Sequence, residues 1–254
     1  LLCNTTPHVS ARRRKAVAIA LSITFAVTIA IFMSARSWEA ERQQLSFERK
    51  ATILTAELEE SIGNYRDMLY AVSLLYKSSD DVTYAEFRDF TRGLMQRHPG
   101  MRGLTWTPKV TDGDRAAFEK TMREEFPGFS IREMDGDDRA ITAPRRNVYY
   151  PVAYIEPYLE KLQGFDNGSE PIRRDTLEKA RDQADRQATP RLHIIQNDQS
   201  SYGMLIFRPV YFNDRPHKTL EERRENLKGF IVGAFVLPEL INASLTQNIW
   251  DKDI

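Results

Sequence analysis

Residues 16–33, AVAIALSITFAVTIAIFM, run without a charge, and past them the apolar positions change to a helical spacing. At a rise of about 1.5 Å per residue the uncharged run nearly crosses a bilayer core, so it predicts a membrane-spanning helix over 16–35. Over 38–76 apolar residues recur at steps of four and three: Phe47, Ala51, Leu54, Leu58, Ile62, Tyr65, Leu69, Val72 and Tyr76. With no proline and Gly63 as the weak point, the pattern predicts that the helix continues out of the membrane to about residue 78. The second half of this stripe reads as packing for the domain that follows. Its first half, at Phe47, Ala51 and Leu54, has no later sequence beside it, which predicts a parallel homodimer through a stalk at 36–78.

Beyond residue 79 the pattern breaks into short helices and strands. TYAEFRDFTRGLMQRHPG opens with a capping box, Thr83 to Glu86, and ends at Pro99 and Gly100. GMRGLTWTPKV reads as a strand, and TDGDRAAFEKTMREEFPG as a helix capped at Thr111 and stopped by Pro127 and Gly128. FSIREM and NVYYPVAYIEP read as strands. Ser169 is expected to cap a helix from Glu170 to about Arg186, with Pro171 in its first turn. LHII, YGMLIFRPVYF and LKGFIVGAFVL supply three further strands, the last two joined by the charged RPHKTLEERREN. Helices mixed with neighbouring antiparallel strands predict an α+β fold of the sensor type.

Composition narrows the functional classes. The chain has 254 residues, 41% of them hydrophobic, enough for one large or two small domains. Thirty-six basic residues balance 36 acidic ones, which leaves no electrostatic footprint for nucleic acid. RRRK at 12–15 precedes the apolar run, whereas Arg36 and Arg42 behind it are mixed with Glu39 and Glu41. This asymmetry puts the N-terminal tail, 1–15, in the cytoplasm and the rest outside. A cleaved signal peptide is disfavoured by the poor cleavage pattern around Ser34. Cys3 is the single cysteine, so no disulfide framework or cysteine metal cluster is expected. His8, His98, His193 and His217 show no ligand spacing, and neither a metal nor a cofactor is expected.

The sequence contains no GxGxxG, P-loop or GxSxG motif, and the acids of EEF and REMDGDD read as surface loop charge. Asn167-Gly168-Ser169 forms a sequon and is read more economically as a turn before a helix cap. Asp166 is the position that asks for an explanation. It ends the aromatic and apolar run VAYIEPYLEKLQGF and is followed at once by turn residues and a charged helix. Two readings stand side by side: a pocket acid, or a turn former bonded to the backbone of 167–169.

Taken in order, FTRGLMQRHPGMRGLTWTPKV, YYPVAYIEP, GFDNGSEPIRRDTLEKARD, RPVY and GFIVGAFVLPEL resemble the CHASE family, across roughly residues 87–240. These are extracellular sensory domains of cyclases and histidine kinases, the plant cytokinin receptors among them. The resemblance implies a long helix leading out of the membrane and two PAS-like subdomains with antiparallel sheets, here over 79–248. It further implies a linker beginning at 249–254, a second membrane span and a cytoplasmic output module such as a diguanylate cyclase, phosphodiesterase or histidine kinase. It implies a small-molecule ligand, of adenine type in the cytokinin receptors, with Asp166 accepting hydrogen bonds from the ring and the backbone at Ala188 and Thr189 touching it. Tyr150, Tyr154, Phe165, Phe207 and Phe235 are candidates for the pocket wall, although strand alternation sends some of them into ordinary core. Gln183 and Ala184 stand where many relatives have Thr and Gly, and Ala188 is small where the cytokinin receptors have a large aliphatic residue, which leaves the ligand class open. The lack of cysteines after Cys3 favours a bacterial inner-membrane protein with its sensor in the periplasm. The sensor itself is expected to carry no catalytic residue. Two other classes compete: a membrane-anchored periplasmic enzyme, for which only His193 and His217 lie near candidate clefts, and a structural dimeric spacer.

Overall fold

The computed structural model describes residues 8–236 and 239, apart from 80, 99, 138, 197 and 198. Helix α1 occupies His8–Ser78. The chain divides within it into two compact units, Leu1–Ala56 and Glu57–Ile254.

The first unit holds the apolar run. Lys15–Ser34 has a mean hydropathy of 2.5 over 20 residues, long and apolar enough to cross a membrane. Val17, Leu21, Phe25, Ile29 and Phe32 are exposed on it. The Thr28 hydroxyl donates to the Thr24 carbonyl at 2.8 Å, so this polar group is paired without water. The side chains of Phe47, Ala51 and Leu54, on which the dimer stripe rests, lie outside the described residues.

The second unit is α+β. After the last turns of α1 come α2 (Tyr84–Met95), β1 (Met101–Pro108), β2 (Val110–Thr111), α3 (Arg115–Glu125), β3 (Arg132–Met134), β4 (Ala140–Thr142), β5 (Val148–Tyr149) and β6 (Tyr154–Glu156). A single 3-10 turn at Glu160–Leu162 leads to α4 (Pro171–Gln183), β7 (Gln187–Ala188), β8 (Leu192–Gln196), β9 (Gln199–Tyr211), α5 (Leu220–Glu225) and β10 (Leu227–Val236). The main sheet is antiparallel in the order β6-β1-β10-β9-β7, with β8 also on β9; β2 with β5, and β3 with β4, form two small pairs.

Period-two alternation divides the main sheet between two cores. Leu104, Trp106, Ile231 and Phe235 belong to a cluster with Tyr65, Leu69, Val72 and Tyr76 from the end of α1, where Tyr76 stacks on Trp106 at 3.9 Å. Leu205, Phe207, Phe230 and Val232 belong to a second cluster with Leu177 and Ala180 of α4. β10 is covered on both faces, which explains its nearly unbroken apolar sequence.

Local signals succeed or fail for identifiable reasons. Thr83 and Glu86 form the expected capping box of α2. Thr111 does not cap α3: its hydroxyl meets the Asp114 N–H at 3.3 Å and closes the turn before the helix, while its backbone pairs with Val148. Ser169 does not cap α4 either. Its hydroxyl donates to the Asp166 carbonyl at 2.7 Å, and the carboxylate of Glu170 caps the helix instead, accepting from Ile172 and Arg173 N–H groups. NVYYPVAYIEP is not one strand but β5 and β6, because the intervening Val152 exchanges backbone hydrogen bonds with Phe165 and Gly164. Gly164 has φ +78°, and a Cβ there would collide with the Ser130 carbonyl oxygen. β4, β7 and α5 are additions to the predicted elements; α5 is announced by a second capping box, Thr219 with Glu222.

Ala184 ends α4 in the left-handed region at φ 54°. A Cβ is disfavoured there, whereas glycine adopts this cap freely. Ala184→Gly is therefore expected to raise stability by about 0.5–1 kcal/mol, read as a later denaturant midpoint at unchanged slope.

Candidate functional site: a cavity over the second face of the sheet

Register brings small and medium residues together on the face toward α4. Gly103 lies opposite Ala234 and Thr105 opposite Val232. Ala234 pairs in turn with Leu205 of β9, and Thr105 with Ile155 of β6. Above this patch is a cavity of about 1050 Å³, lined further by Val152, Leu159, Leu162, Phe165 and Ile194. A large, mostly apolar concavity with a few convergent polar groups is the usual form of a small-molecule site. The polar groups here include Arg102, Glu133, Asn167, Ser169, Glu170, Arg173 and His193.

The segment around Asp166 forms one wall. Phe165, Asn167 and Ser169 line the cavity. Asp166 itself is fully buried at 0% exposure. Its Oδ1 accepts from the Tyr150 N–H at 2.8 Å and the Gly168 N–H at 2.9 Å, and its Oδ2 faces Arg146 at 3.5 Å. Arg146 also pairs with Glu133, which lines the cavity. Burial pushes the Asp166 carboxyl above the ordinary aspartate value; the two N–H groups and Arg146 oppose the shift and Glu133 adds to it. Asn167 donates to the Thr107 hydroxyl at 3.3 Å and accepts from Arg173 at 3.2 Å. The Arg173 guanidinium lies over the Phe165 ring, 4.9 Å from its centroid.

The residues singled out from sequence are distributed around this cavity unevenly. Phe165 lines it. Tyr150 and Phe207 sit in the core under α4, each ring against Phe230 at 5.6 and 6.0 Å. Tyr154 packs with Tyr84 and Phe87, and Phe235 points to the other face, its ring 4.9 Å from Tyr65. Ala188 is exposed on β7 and pairs with Ile206. Thr189 is buried; its N–H donates to the Leu205 carbonyl at 2.9 Å and its hydroxyl accepts from the Leu205 N–H at 3.0 Å, behind a cavity-lining residue. His193 lines the cavity and lies 4.4 Å from the Tyr202 ring, while His217 stacks on Tyr211.

Arg173 and Arg102 were not picked out from sequence; Asn167 was read as part of a turn, and Glu133, read with REMDGDD as surface loop charge, is instead mostly buried, paired with Arg146 and part of the cavity wall. Arg173 and Arg174 are adjacent in a charged helix, and no local feature separates the one that lines the cavity from its neighbour.

The CHASE domain family profile matches residues 80–253. Over 211 residues the chain is 24% identical to "Hybrid signal transduction histidine kinase A" of Dictyostelium discoideum, covering 80% of this chain and 10% of that protein. It is 22% identical to "Probable histidine kinase 5" of Oryza sativa subsp. japonica, covering 95% of this chain and 22% of that protein. The chain thus spans about a tenth to a fifth of the length of these relatives. Among solved structures, the periplasmic sensory domain of the Campylobacter jejuni chemoreceptor Tlp1 aligns with a TM-score of 0.45 and 10% identity, over 77% of this chain and 59% of that one. With the profile extending from before α2 to beyond β10, the chain belongs to the CHASE domain family.

Proposed function

We propose that this chain is the ligand-sensing region of a transmembrane receptor, anchored in a bacterial inner membrane with its CHASE domain in the periplasm. The observation that carries the reading is the cavity of about 1050 Å³ within the family domain, apolar over the sheet and polar at the α4 end. Its volume suits a small organic molecule whose apolar body supplies most of the affinity. The orientation is supported by RRRK at 12–15 ahead of the apolar run. The output module would lie in the cytoplasm; the relatives' names suggest a histidine kinase, and a diguanylate cyclase is the alternative.

In this reading the main sheet forms one of two PAS-like subdomains, its first and last strands, β1 and β10, adjacent at the centre. The chain works as a homodimer through its membrane-proximal helix. Asp166 serves the site by fixing the turn that presents Phe165 and Asn167, since its Oδ1 already accepts two backbone N–H groups.

Ala234→Phe should fill the cavity from the sheet side. In a thermal-shift screen of small metabolites, adenine derivatives included, some compounds are expected to raise the melting temperature of the full chain in lipid nanodiscs and to leave Ala234→Phe unmoved. A screen in which no compound separates the two proteins would refute the ligand-sensing reading.

A further inference from the structure

We infer that the ligand carries a carboxylate held by Arg173, its apolar body lying against the sheet; this rests on the cavity being the ligand site, as proposed above. Arg173 lines the cavity with its side chain only 16% exposed. A guanidinium has five donors in a planar fork. Among the described residues one of them reaches an acceptor, the Asn167 side-chain oxygen at 3.2 Å. The Glu170 carboxylate lies 4.0 Å away, beyond hydrogen-bond range, and both of its oxygens are taken by the Ile172 and Arg173 backbone N–H groups. Burial lowers the Arg173 pKa and Glu170 only partly opposes this, so the charge is left short of compensation.

Besides Glu170, the other acid and the other arginine at the cavity have ion-pair partners of their own. Glu133 is paired with Arg146, and Arg102 with Glu239. Arg173 is therefore where an incoming anion gains most. The Phe165 ring lies 4.9 Å from the guanidinium carbon in a cation–π contact, which restrains the fork from one side. The positive end of the α4 dipole adds to the attraction. A planar two-oxygen anion matches a single fork, whereas a phosphate would draw on backbone N–H groups of the helix start. Those are unavailable: Pro171 has none, and Glu170 occupies the next two. Val152, Ile155, Leu162, Leu205 and Val232 offer the acid an apolar bed.

The test is calorimetric titration of the full chain in lipid nanodiscs with phenylacetate and 4-phenylbutyrate, their uncharged amides, and adenine. At least one acid should bind, about ten- to hundredfold tighter than its amide. Arg173→Gln should bring the acid to the amide's affinity without changing the amide, Arg173→Lys should keep part of the preference, and Ala234→Phe should abolish binding. Failure of both acids to bind, equal affinity for acid and amide, or a preference that survives Arg173→Gln would overturn the assignment. Amide or adenine binding that Ala234→Phe removes, without any preference for acid, would overturn Arg173 while leaving the cavity as the site. No binding sensitive to Ala234→Phe by any of these probes would overturn both.

Discussion

Asp166→Ala is expected to lower the unfolding free energy by about 2–4 kcal/mol, and Asp166→Asn by under about 1 kcal/mol. The alanine variant leaves the N–H groups of Tyr150 and Gly168 without their acceptor at a position with 0% exposure. Each buried donor left unpaired costs about 1–3 kcal/mol, and only partial relaxation toward water offsets it. Asparagine retains the Oδ1 acceptor. It gives up the contact with Arg146, which keeps Glu133, and it also removes the cost of burying a charge. Because burial raises the folded-state pKa, the stability this group contributes is fully present below the ordinary value of 3.8 and is lost as pH rises through the folded-state value. Asp166→Asn should remove that pH response. Denaturant unfolding of the three proteins at neutral pH decides the matter. An alanine variant as stable as wild type would mean that these two bonds do not hold the turn.

Phe235→Ala should destabilise the domain by about 3–5 kcal/mol and leave the affinity of any cavity ligand unchanged in the folded fraction. Phe235 is 1% exposed and packs edge-on against Tyr65 at 4.9 Å. Its face of the sheet is the one buried by the end of α1, away from Val232 and Ala234. Truncation therefore opens a void between sheet and helix, where the surroundings collapse only in part. Phe165→Ala is the contrast: it removes cavity wall and the ring beneath Arg173, so ligand affinity should fall while stability changes less. Equal loss of ligand affinity in the two variants, measured at a temperature where both are folded, would contradict this division of the sheet.

The helix long and apolar enough to cross a membrane and the broad fold class were legible because they rest on one-dimensional patterns. An uncharged run at 16–33 is a property of composition alone, and the two long apolar runs of β9 and β10, joined by a charged segment, announce neighbouring strands before any partner is known. The α2 capping box was legible for the same reason, since its two partners lie three residues apart. The CHASE motifs stood in order along the chain, and the family profile over 80–253 covers the stretch that holds them.

Where two local signals compete, the hydrogen bonds actually formed decided. Ser169 and Glu170 can both cap a helix; the Ser169 hydroxyl goes to the Asp166 carbonyl, and so Glu170 holds the helix start. The aromatic run around Tyr150 looks like one strand, yet Val152 bonds to Gly164 and Phe165, and this bond pattern is what turns Asp166 toward Tyr150.

The sequence by itself determined which residues could be apolar wall, turn or charge, because those properties belong to each side chain and its near neighbours. Only the tertiary structure decided which aromatic faced which core and which arginine faced the cavity. Phe207 and Phe235 are equally apolar on neighbouring strands, and strand register alone sends them to opposite faces. Arg173 and Arg174 are chemically identical, and the 100° between successive helix positions sets one against Phe165 in the cavity and leaves the other outside its lining.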